Sequence, residues 1–544
     1  MRAVLTQMNP TIGDLQGNVD KILKGIAFAK RNRAELVLFP ELAITGYPPE
    51  DILLLPHFIE AAESALDHVV MASRGITVIV GIPRYSPVGK EKRLYNSAAV
   101  ISDGTIIGFQ DKMLLPTYNV FDENRYFSPG DSVRLWEING TKVAITICED
   151  IWQHAEAVCE TRYINDPIKE YKELKPDLLI NISASPYHLN KFQDRLKVSK
   201  RAVETLHCPY LFCNQVGAND SLIFDGRSFC LDKEGKLIDF APGFVEDHLI
   251  VDIEMNHVVK NYDPDPIEEL YKALVLGIKD YFHKSGFKKA CLGLSGGIDS
   301  AVVAALASEA LGKENVLAVM MPSRYTSHAS ERDAKKLLSK LQIPSETVSI
   351  ENIFQSFLDE LSPFFKGKEK DATEENLQSR IRGMILMAFS NKHGHIVLST
   401  GNKSEMAMGY STLYGDMTGG LGVLNDVTKQ QVYFLAEYIN RNQSIIPKNI
   451  IKKAPTAELR ANQKDSDTLP DYKIIDTVVE EYVENHLSPQ KIAENYGYPK
   501  QLVDDLVKRI HLNEYKRRQS PPGLRVSKRA FSVGRRFPIV QGWT

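Results

Sequence analysis

The feature that most constrains the fold of this chain is a glycine-rich turn at residues 295–300, which separates two apolar segments. The apolar run at 290–294 has the length of a buried strand, and the AVVAALA segment at 301–307 predicts a helix. The turn has the sequence SGGIDS, and its paired glycines permit positive φ and the close approach of a ligand to bare amides. This strand–loop–helix order predicts a parallel α/β sheet with an anion site at the start of the helix.

The side chains of the turn favour a phosphate ligand. We expect the helix to begin at Ser300 with unpaired N–H groups and the positive end of its dipole. Ser295 and Ser300 offer hydroxyls to the same anion, and Asp299 offers a hard oxygen ligand for Mg²⁺. The ordinary phosphate loop, G-x-x-x-x-G-K-[ST], does not fit, because counting from Gly293 its second glycine is Ile298 and no lysine follows. A loop with hydroxyls and a carboxylate in place of lysine suits a pyrophosphate that leaves as one piece.

Two neighbouring glycines taken alone are more often a structural turn than a binding site. The six residues in this order, however, resemble the pyrophosphate loop of the ATP-pyrophosphatase family. The resemblance implies cleavage of ATP to AMP and pyrophosphate, which activates a carbonyl-type oxygen as an adenylate.

The composition excludes several classes of protein. The 544 residues could form about three domains of average size, although large α/β domains are longer. A net charge of -3 disfavours a nucleic-acid-binding protein. No apolar run approaches the roughly 18 residues that cross a bilayer, and the chain opens directly into a strand, so we expect no membrane segment or signal peptide. The cysteines show no metal-binding spacing, which indicates a cytoplasmic protein in which they serve as core residues or as a nucleophile. These cysteines are Cys148, Cys159, Cys208, Cys213, Cys230 and Cys291.

The first half alternates strand-like and helix-like segments, which predicts a layered α/β domain. Strand-like segments occur at 35–40, 76–82, 97–101, 142–148, 177–182 and 210–214. Three residues at strand ends or turns stand out: Glu41, Lys112 and Cys148. Each has a structural explanation when taken singly, because a cysteine after an apolar run is usually a core residue and the charges could lie on the surface.

Together the three residues supply the parts for attack on an amide. A thiol with a pKa of about 8.5 needs a base and a nearby cation at neutral pH. Glu41 can take the proton, and Lys112 can stabilise the thiolate and the oxyanion of the tetrahedral intermediate. Their order and flanking sequences resemble the nitrilase (carbon–nitrogen hydrolase) family over about residues 1–255, most specifically at CEDIW (148–152). The resemblance implies a nitrilase-like α/β sandwich with Glu41 as general base, Lys112 as oxyanion partner and Cys148 as nucleophile.

Within that family the first half looks most like a glutamine amidase domain. This likeness implies that Tyr118, Ser185 and Lys191 bind glutamine. Lys191 is also a sensible partner for a substrate carboxylate on charge grounds alone.

The strand–helix rhythm is lost at 252–266, where turn-forming residues accumulate. We place a domain boundary near 258, which gives domains at 1–258 and 262–544. Beyond it, a helix predicted over 268–284, the glycine-rich turn and a strand at 316–321 fit a doubly wound parallel sheet.

Further polar residues in the second half suit a nucleotide site. Thr400 follows a strand at 395–399, and Glu405 could hold Mg²⁺ or a substrate hydroxyl. Asp416 could join Asp299 and Glu405 as a third carboxylate, and Lys429 could contact phosphate. A capped strand–helix turn is an equally good explanation of Thr400 and Glu405 before the other motifs are considered.

A basic tail follows residue 515. A charge run is usually a solvated face, and we expect that here; the alternative is an ordered tail that reaches into a dinucleotide-phosphate site. The basic residues are Lys516, Arg517, Arg518, Arg525, Lys528, Arg529, Arg535 and Arg536.

Four motifs, SGGIDS (295–300), TGNKSE (400–405), YGD (414–416) and LPDYKIID (469–476), resemble the synthetase domain of the NAD⁺ synthetase family over about 262–544. The resemblance implies that deamido-NAD⁺ is contacted by Asn376, Glu405 and Lys516. As carboxylates, Asp299 and Glu405 are the candidate Mg²⁺ ligands. ATP binding is assigned to Gly293, Leu294, Ser295, Gly296, Gly297, Ile298, Asp299, Ser300 and Thr400. One departure is GGLGVLND (419–426), which lacks the Asn-Pro-Leu of many relatives and affects local substrate contacts.

The two halves together predict an enzyme with two sites. The first would hydrolyse glutamine through a Cys148 thioester, and the second would use Mg²⁺ and ATP to adenylate deamido-NAD⁺, so that ammonia passed internally displaces AMP. The partners are then small molecules, without nucleic acid or membrane, and the resemblance implies a homo-oligomer. One alternative is the same machinery acting on another acceptor such as a tRNA base, which would bring salt-sensitive RNA binding. A second is a non-catalytic nucleotide-binding protein.

Overall fold

The protein is described by a computed structural model over residues 1–155, 161–253 and 260–543. The described chain divides into two compact units, Met1–Pro264 and Asp265–Thr544. The boundary predicted near 258 and the cysteine at 159 lie outside the described residues. Among the described residues, no helix is long and apolar enough to cross a membrane.

The first unit is built from two mixed sheets and a hairpin. In its described residues the first sheet has the order β14-β1-β2-β3-β4-β5, the second β13-β12-β9-β8-β7-β6, and β10 pairs with β11. The strands are β1 (Arg2–Gln7), β2 (Leu36–Leu38), β3 (Thr77–Tyr85), β4 (Leu94–Ser102), β5 (Thr105–Asp111), β6 (Leu135–Ile138), β7 (Thr141–Ile147), β8 (Leu178–Ser183), β9 (Tyr210–Asn214), β10 (Val216–Asn219), β11 (Leu222–Asp225), β12 (Phe229–Leu231), β13 (Leu237–Phe240) and β14 (Asp247–Asp252). The six strand-like segments predicted in this half are all confirmed as strands.

Helices cover the outer faces of the two sheets. They are α1 (Leu15–Arg31), α2 (Pro56–Ala72), α3 (Pro167–Leu174) and α4 (Lys191–Leu206), with 3-10 turns at Glu50–Leu54, Glu123–Arg125, Cys148–Ile151 and Gln153–Ala155. Local sequence explains the start of α2 and α3, because proline occupies the first helical position of each, where no N–H donor is needed.

The first unit is a four-layer sandwich, as the nitrilase resemblance implies. Its central core lies between the two sheets, where apolar residues of β1–β4 face those of β6–β9. A second core joins the first sheet to α1 and α2, and a third joins the second sheet to α3 and α4. Both faces of each sheet are therefore buried, which is why the strands are nearly continuous apolar runs rather than alternating ones.

The second unit contains one parallel sheet among its described residues, with the order β17-β16-β15-β18-β19. Its strands are β15 (Lys289–Gly293), β16 (Val316–Met320), β17 (Ser345–Thr347), β18 (His395–Ser399) and β19 (Leu421–Gly422). Its helices are α5 (Pro266–Lys284), α6 (Ile298–Leu311), α7 (His328–Leu341), α8 (Glu351–Leu361), α9 (Ala372–His393), α10 (Lys403–Met408), α11 (Lys429–Ile439), α12 (Lys448–Lys452), α13 (Tyr472–Val479), α14 (Pro489–Tyr496), α15 (Lys500–Leu512) and α16 (Glu514–Arg517). Short 3-10 turns lie at Lys313–Asn315 and Asp465–Asp467, and a π-turn at Glu480–Glu484.

The strand order of this sheet reverses between β15 and β18, which pair in parallel with Cys291 opposite Val397. In a doubly wound sheet a ligand binds outside the carboxyl ends of the strands at such a switch point. The segments that follow these two strands are the glycine-rich turn and the segment from Thr400 to Glu405. The predicted doubly wound fold is confirmed. The expected helix start at Ser300 is wrong by two residues, because Gly297 is the N-cap and α6 begins at Ile298.

The basic tail is ordered against the second unit rather than solvated throughout. The prediction of a solvated face is wrong for Arg517 and Arg525, whose exposures are both 4%. Arg517 donates to the carbonyl oxygens of Met406 and Ala407 at the end of α10. Asp426 accepts the backbone N–H of Val526 and Ser527. The tail is therefore part of the fold that supports α10.

Candidate active sites

The candidate nucleophile lies on a sharp turn in the first unit. Cys148 follows β7 directly and opens the 3-10 turn Cys148–Ile151, with a φ of 43°. Positive φ is rare for a residue with a side chain and is found where function imposes strain. Cys148 is 4% exposed and belongs to the core between the two sheets.

Lys112 stands between two carboxylates, and the three side chains with Cys148 form what we call the cysteine cluster. Its ammonium donates to Glu41 Oε1 at 2.7 Å and to Glu123 Oε1 at 2.8 Å. The side chains of Lys112 and Glu41 are completely buried, and that of Glu123 is 5% exposed. The chain brings these residues together because Glu41 follows β2 and Lys112 follows β5, which run in the same direction in the first sheet.

Further donors fix the two carboxylates. Asn96 Nδ2 donates to Glu41 Oε1 at 2.7 Å, and the N–H of Ala184, just after β8, donates to Glu41 Oε2 at 2.9 Å. Tyr47 donates its hydroxyl to Glu123 at 2.9 Å. One ammonium cannot neutralise two buried carboxylates, and burial together with repulsion from Glu41 raises the pKa of Glu123 to about 7 despite the opposing effect of Lys112.

The thiol of Cys148 is held in its neutral form at rest. Burial, followed by repulsion from Glu41, raises its pKa well above the ordinary value, and Lys112 opposes the shift. Both Glu41 and Lys112 therefore act electrostatically on the thiol. A neutral thiol requires a base that removes the proton as the sulfur attacks, and Glu41 is the residue that the nitrilase resemblance implies for that step.

The three residues expected to bind glutamine take up defined positions. Tyr118 donates its hydroxyl to both oxygens of Glu149, at 3.0 Å each, and so lies beside the residue that follows Cys148. Ser185 Oγ accepts from the buried Arg195 at 3.1 Å. The Lys191 ammonium lies 3.8 Å from the centre of the Trp152 ring, a cation–π contact at the start of α4.

The glycine-rich turn of the second unit is closed by its own hydroxyls. Ser295 and Ser300 lie 3.2 Å apart through their Oγ atoms, and Gly297 N–H donates to Ser295 Oγ at 3.2 Å. Gly296 has a φ of +79°, and a Cβ there would lie 2.4 Å from the carbonyl oxygen of Ser330. Only glycine fits this position, so the turn presents bare backbone at the start of α6.

Asp299 and Glu405 converge on Lys429, and with Asn402 they form what we call the loop cluster. The Lys429 ammonium donates to Asp299 Oδ2 at 2.6 Å and to Glu405 Oε1 at 3.2 Å. Asn402 Nδ2 donates to Asp299 Oδ1 at 2.8 Å, and the Asn402 side chain caps α10, in which Glu405 lies. Burial raises the pKa of Glu405 to about 7 against the effect of Lys429, and Asp299 adds to the rise.

Of the remaining predicted residues, Lys516 and Asn376 contact the turn that follows α10, whereas Thr400 precedes this helix. Lys516 donates to the carbonyl oxygens of Gly409 at 2.7 Å and Ser411 at 2.8 Å. Asn376 Oδ1 accepts from the Thr412 hydroxyl at 2.8 Å. Thr400 is half-buried directly after β18.

Asp416 Oδ1 accepts from Ser379 Oγ at 3.0 Å and from Thr412 N–H at 2.7 Å rather than facing Asp299 and Glu405 as a third carboxylate. The expected third carboxylate is thus engaged elsewhere. Among the described residues, no group of three His, Cys, Asp or Glu side chains could hold a metal. Asp299 and Glu405 offer hard oxygen donors of the kind that Mg²⁺ prefers, and in this structure the Lys429 ammonium occupies the space between them.

Sequence reasoning missed Glu123, Asn96 and Asn402. Glu123 opens the 3-10 turn Glu123–Arg125, 11 residues after Lys112, so no strand-end pattern marks it, and Asn96 lies inside β4. Asn402 was within a recognised motif, yet no signal showed that its amide reaches Asp299, 103 residues away in the chain.

Comparisons with known proteins agree for both units. Residues 2–260 match the carbon–nitrogen hydrolase family, and residues 270–520 match the NAD synthase family. A glutamine-dependent NAD(+) synthetase of Synechocystis sp. is 43% identical over 99% of this chain and 98% of its own length. That of Acinetobacter baylyi is 42% identical over 100% of this chain and 98% of its own length.

Solved structures show the same fold over the whole chain. A glutamine-dependent NAD⁺ synthetase from Acinetobacter baumannii, in complex with ADP, is 39% identical with a TM-score of 0.78 and covers 100% of this chain and 99% of that one. One from Cytophaga hutchinsonii is 22% identical with a TM-score of 0.83, covering 99% and 98%.

Proposed function

This chain belongs to the glutamine-dependent NAD(+) synthetase family, and we propose that the cysteine cluster and the loop cluster divide the reaction between them. The enzyme converts deamido-NAD⁺ to NAD⁺ with glutamine as nitrogen donor and ATP as co-substrate. Glutamine hydrolysis is assigned to the first unit, and activation of deamido-NAD⁺ to the second.

The cysteine cluster carries the glutamine half of the reaction. Cys148 Sγ attacks the amide carbon of glutamine while Glu41 accepts the thiol proton, and the Lys112 ammonium stabilises the resulting oxyanion. Collapse of the tetrahedral intermediate breaks the C–N bond, and the proton on Glu41 passes to the departing ammonia. Water then hydrolyses the thioester with Glu41 again as base, which releases glutamate and restores the thiol. Tyr118, Ser185 and Lys191 bind the rest of glutamine.

The loop cluster carries the ATP half. The turn at 295–300, with Thr400, holds the phosphates of ATP, and its bare N–H groups and the start of α6 stabilise the negative charge. The carboxylate of deamido-NAD⁺ attacks the α-phosphorus, pyrophosphate leaves, and ammonia then displaces AMP from the adenylate. Asn376, Glu405 and Lys516 hold deamido-NAD⁺ for these steps.

Asp299 and Glu405 are the residues that would hold Mg²⁺ in this unit. The ion supplies charge neutralisation at the phosphate oxygens when it is bound. The Lys429 ammonium lies between the two carboxylates, at 2.6 and 3.2 Å, so it would have to move aside for the ion and would then contact a phosphate.

The observation that carries the proposal is the direct contact of Lys112 with Glu41 beside a thiol whose pKa responds to both charges. Without that contact, the first unit would have a cysteine without a base or a cation. Tyr118 contacts Glu149 and Lys191 contacts Trp152, both close to Cys148 in the chain, which supports this assignment.

The test measures AMP, pyrophosphate and NAD⁺ formation from ATP and deamido-NAD⁺, with glutamine or with an ammonium salt. We expect Cys148→Ala to abolish synthesis from glutamine and to retain synthesis from ammonium. Cys213→Ala, another buried cysteine of the same core, is the matched control and should retain both. Equal loss of both activities in Cys148→Ala would contradict the division of labour between the two clusters.

A further inference from the structure

One buried carboxylate of the first unit links the two segments that carry Lys112 and Cys148. Asp150 Oδ1 accepts the backbone N–H of Met113 at 3.0 Å and of Leu114 at 2.9 Å. Its other oxygen, Oδ2, accepts the N–H of Ile147 at 2.9 Å. The residue is 3% exposed, so these three donors take the place of water around a buried carboxyl group.

The position of these donors in the chain gives the contacts their significance. Met113 directly follows Lys112, and Ile147 directly precedes Cys148. Lys112 directly follows β5 of the first sheet, whereas Cys148 directly follows β7 of the second sheet. Asp150 thus joins, through one side chain, the two backbone segments whose separation sets the distance between the ammonium and the thiol.

If Asp150 only stabilised its own turn, it would not need all three hydrogen bonds. Asp150 lies in the 3-10 turn after Cys148, and acceptance of the Ile147 N–H alone would cap that turn. The two further bonds run to residues 36 and 37 positions earlier in the chain, which a cap does not need.

We infer that Asp150 is a positioning residue for glutamine hydrolysis, which holds the Lys112 segment and the Cys148 turn at a fixed separation. This inference rests on the proposed roles of Lys112 and Cys148. Asp150 acts through its hydrogen bonds to the backbone of Met113, Leu114 and Ile147, and not by contact with the substrate or the reacting atoms.

The decisive variant is Asp150→Asn, which keeps the size and shape of the side chain. An amide has one oxygen, so it can face the Met113 and Leu114 donors or the Ile147 donor, but its NH₂ group then opposes an N–H on the other side. The variant should therefore break the link on one side while leaving the packing intact. The assay is run at pH 8, above the pKa of about 7 to which burial raises the Asp150 carboxyl.

We expect Asp150→Asn to lower kcat for synthesis from glutamine by about 10- to 100-fold, with little change in KM for glutamine, because misplacement of catalytic groups by about 1 Å has effects of this size. Synthesis from ammonium should keep its wild-type rate. Alkylation of Cys148 by iodoacetamide, followed by peptide mass spectrometry, should slow because Lys112 no longer faces the thiol correctly.

Two controls make the outcomes distinct. Asp177→Asn removes a carboxylate that accepts the Lys142 N–H at the opposite end of β7, at 2.9 Å, and should leave both activities unchanged. Cys148→Ala, assayed in parallel, tests the proposed function itself: if it retains synthesis from glutamine, the roles of the cysteine cluster are wrong.

If Cys148→Ala is inactive with glutamine while Asp150→Asn has the wild-type kcat, the positioning role alone is overturned. It is equally overturned if Asp150→Asn loses ammonium-driven synthesis to the same extent, or if its loss is accompanied by faster alkylation of the buried Cys208, Cys213 and Cys230, which would indicate unfolding. A selective loss with these cysteines still protected supports it.

Discussion

The cysteine cluster and the loop cluster each bury a lysine between two carboxylates, and the two arrangements differ in their access to solvent. In the cysteine cluster, Lys112 and Glu41 are completely buried and Glu123 is 5% exposed. In the loop cluster, Lys429 is 3% exposed, but the side chains of Asp299 and Glu405 are 18% and 17% exposed. The carboxylates are therefore almost inaccessible to solvent in the cysteine cluster and partly exposed in the loop cluster.

The difference agrees with the chemistry proposed for each cluster. A base and a cation that act on a thiol are most effective when water is excluded, because their charges are then least screened. Carboxylates that take a phosphate-bound ion must be reachable and must exchange partners. A third buried lysine, Lys403, contacts Asp426 at 2.8 Å and Glu484 at 2.6 Å and anchors the C-terminal tail, so the triplet by itself does not indicate catalysis.

The largest effect is expected when Lys112 of the cysteine cluster is replaced. Lys112→Met leaves Glu41 and Glu123 buried without a cation, which should lower synthesis from glutamine by about 10³-fold. Breaking a buried ion pair should also destabilise the first unit by about 3–5 kcal/mol. Steady-state rates with glutamine and with ammonium, together with thermal unfolding, check both expectations. Lys142→Met, at an exposed position on β7, is the control and should change neither.

If Lys112→Met retained both glutamine activity and stability, the burial of Lys112 between two carboxylates would contribute to neither, and the proposed difference between the two clusters would be wrong.

The second prediction tests whether Glu41 and Glu123 share the ammonium of Lys112 in the cysteine cluster. The pKa of Glu123 is raised to about 7, above its ordinary value near 4.5, so the native state binds this proton more tightly than the unfolded state. Its contribution to stability is present below about pH 4.5 and is lost as the pH rises through about 7. Relative to the wild type, Glu123→Gln should therefore gain on the order of 3 kcal/mol in unfolding free energy between these pH values.

Denaturant unfolding of both proteins at several pH values measures this difference, and Glu91→Gln at an exposed position serves as control. A difference between Glu123→Gln and wild type that does not vary with pH would show that Glu123 is ionised throughout.

The third prediction concerns the glycine-rich turn at 295–300, where a ligand must reach the backbone. Gly296→Ala places a Cβ 2.4 Å from the Ser330 carbonyl oxygen at a φ of +79°. The turn must shift, and we expect synthesis from ammonium to fall about 10-fold or more through weaker ATP binding, while glutaminase activity is retained. Gly286→Ala is the matched control, since Gly286 has a φ of +77° in the same unit but nothing within 4 Å of the added Cβ.

Equal effects of Gly296→Ala and Gly286→Ala on the KM for ATP would mean that the close approach at the turn is irrelevant to nucleotide binding.

The smallest effect is expected for an ion pair that lacks burial. Lys500 and Asp504 are 2.5 Å apart on α15, but their side chains are 58% and 38% exposed. Lys500→Met should change the unfolding free energy by less than about 0.5 kcal/mol, because solvent screens such pairs. If Lys500→Met lowered the unfolding free energy as much as Lys112→Met does, the ion pair itself, and not its burial, would determine how much each lysine stabilises the protein.

The sequence by itself determined the fold class, the family and most residues of both clusters. Strand ends were readable from apolar runs, and the residues that follow those runs, such as Glu41, Cys148 and Asp299, were found because chemistry in α/β folds is placed at strand ends. The glycines of the turn were recognisable since a positive φ and a close approach exclude other residues.

Tertiary structure alone decided which side chains meet. The contacts of Glu123, Asn96 and Asn402 with Lys112, Glu41 and Asp299 carry no local signal, because these partners lie elsewhere in the chain and meet only after the sheets form. The same holds for Asp416, whose partners are Ser379 and Thr412 rather than the expected carboxylates. Local sequence specifies periodicity and turns, whereas burial, and with it the pKa of Glu123 or Cys148, depends on what packs around a residue from distant segments.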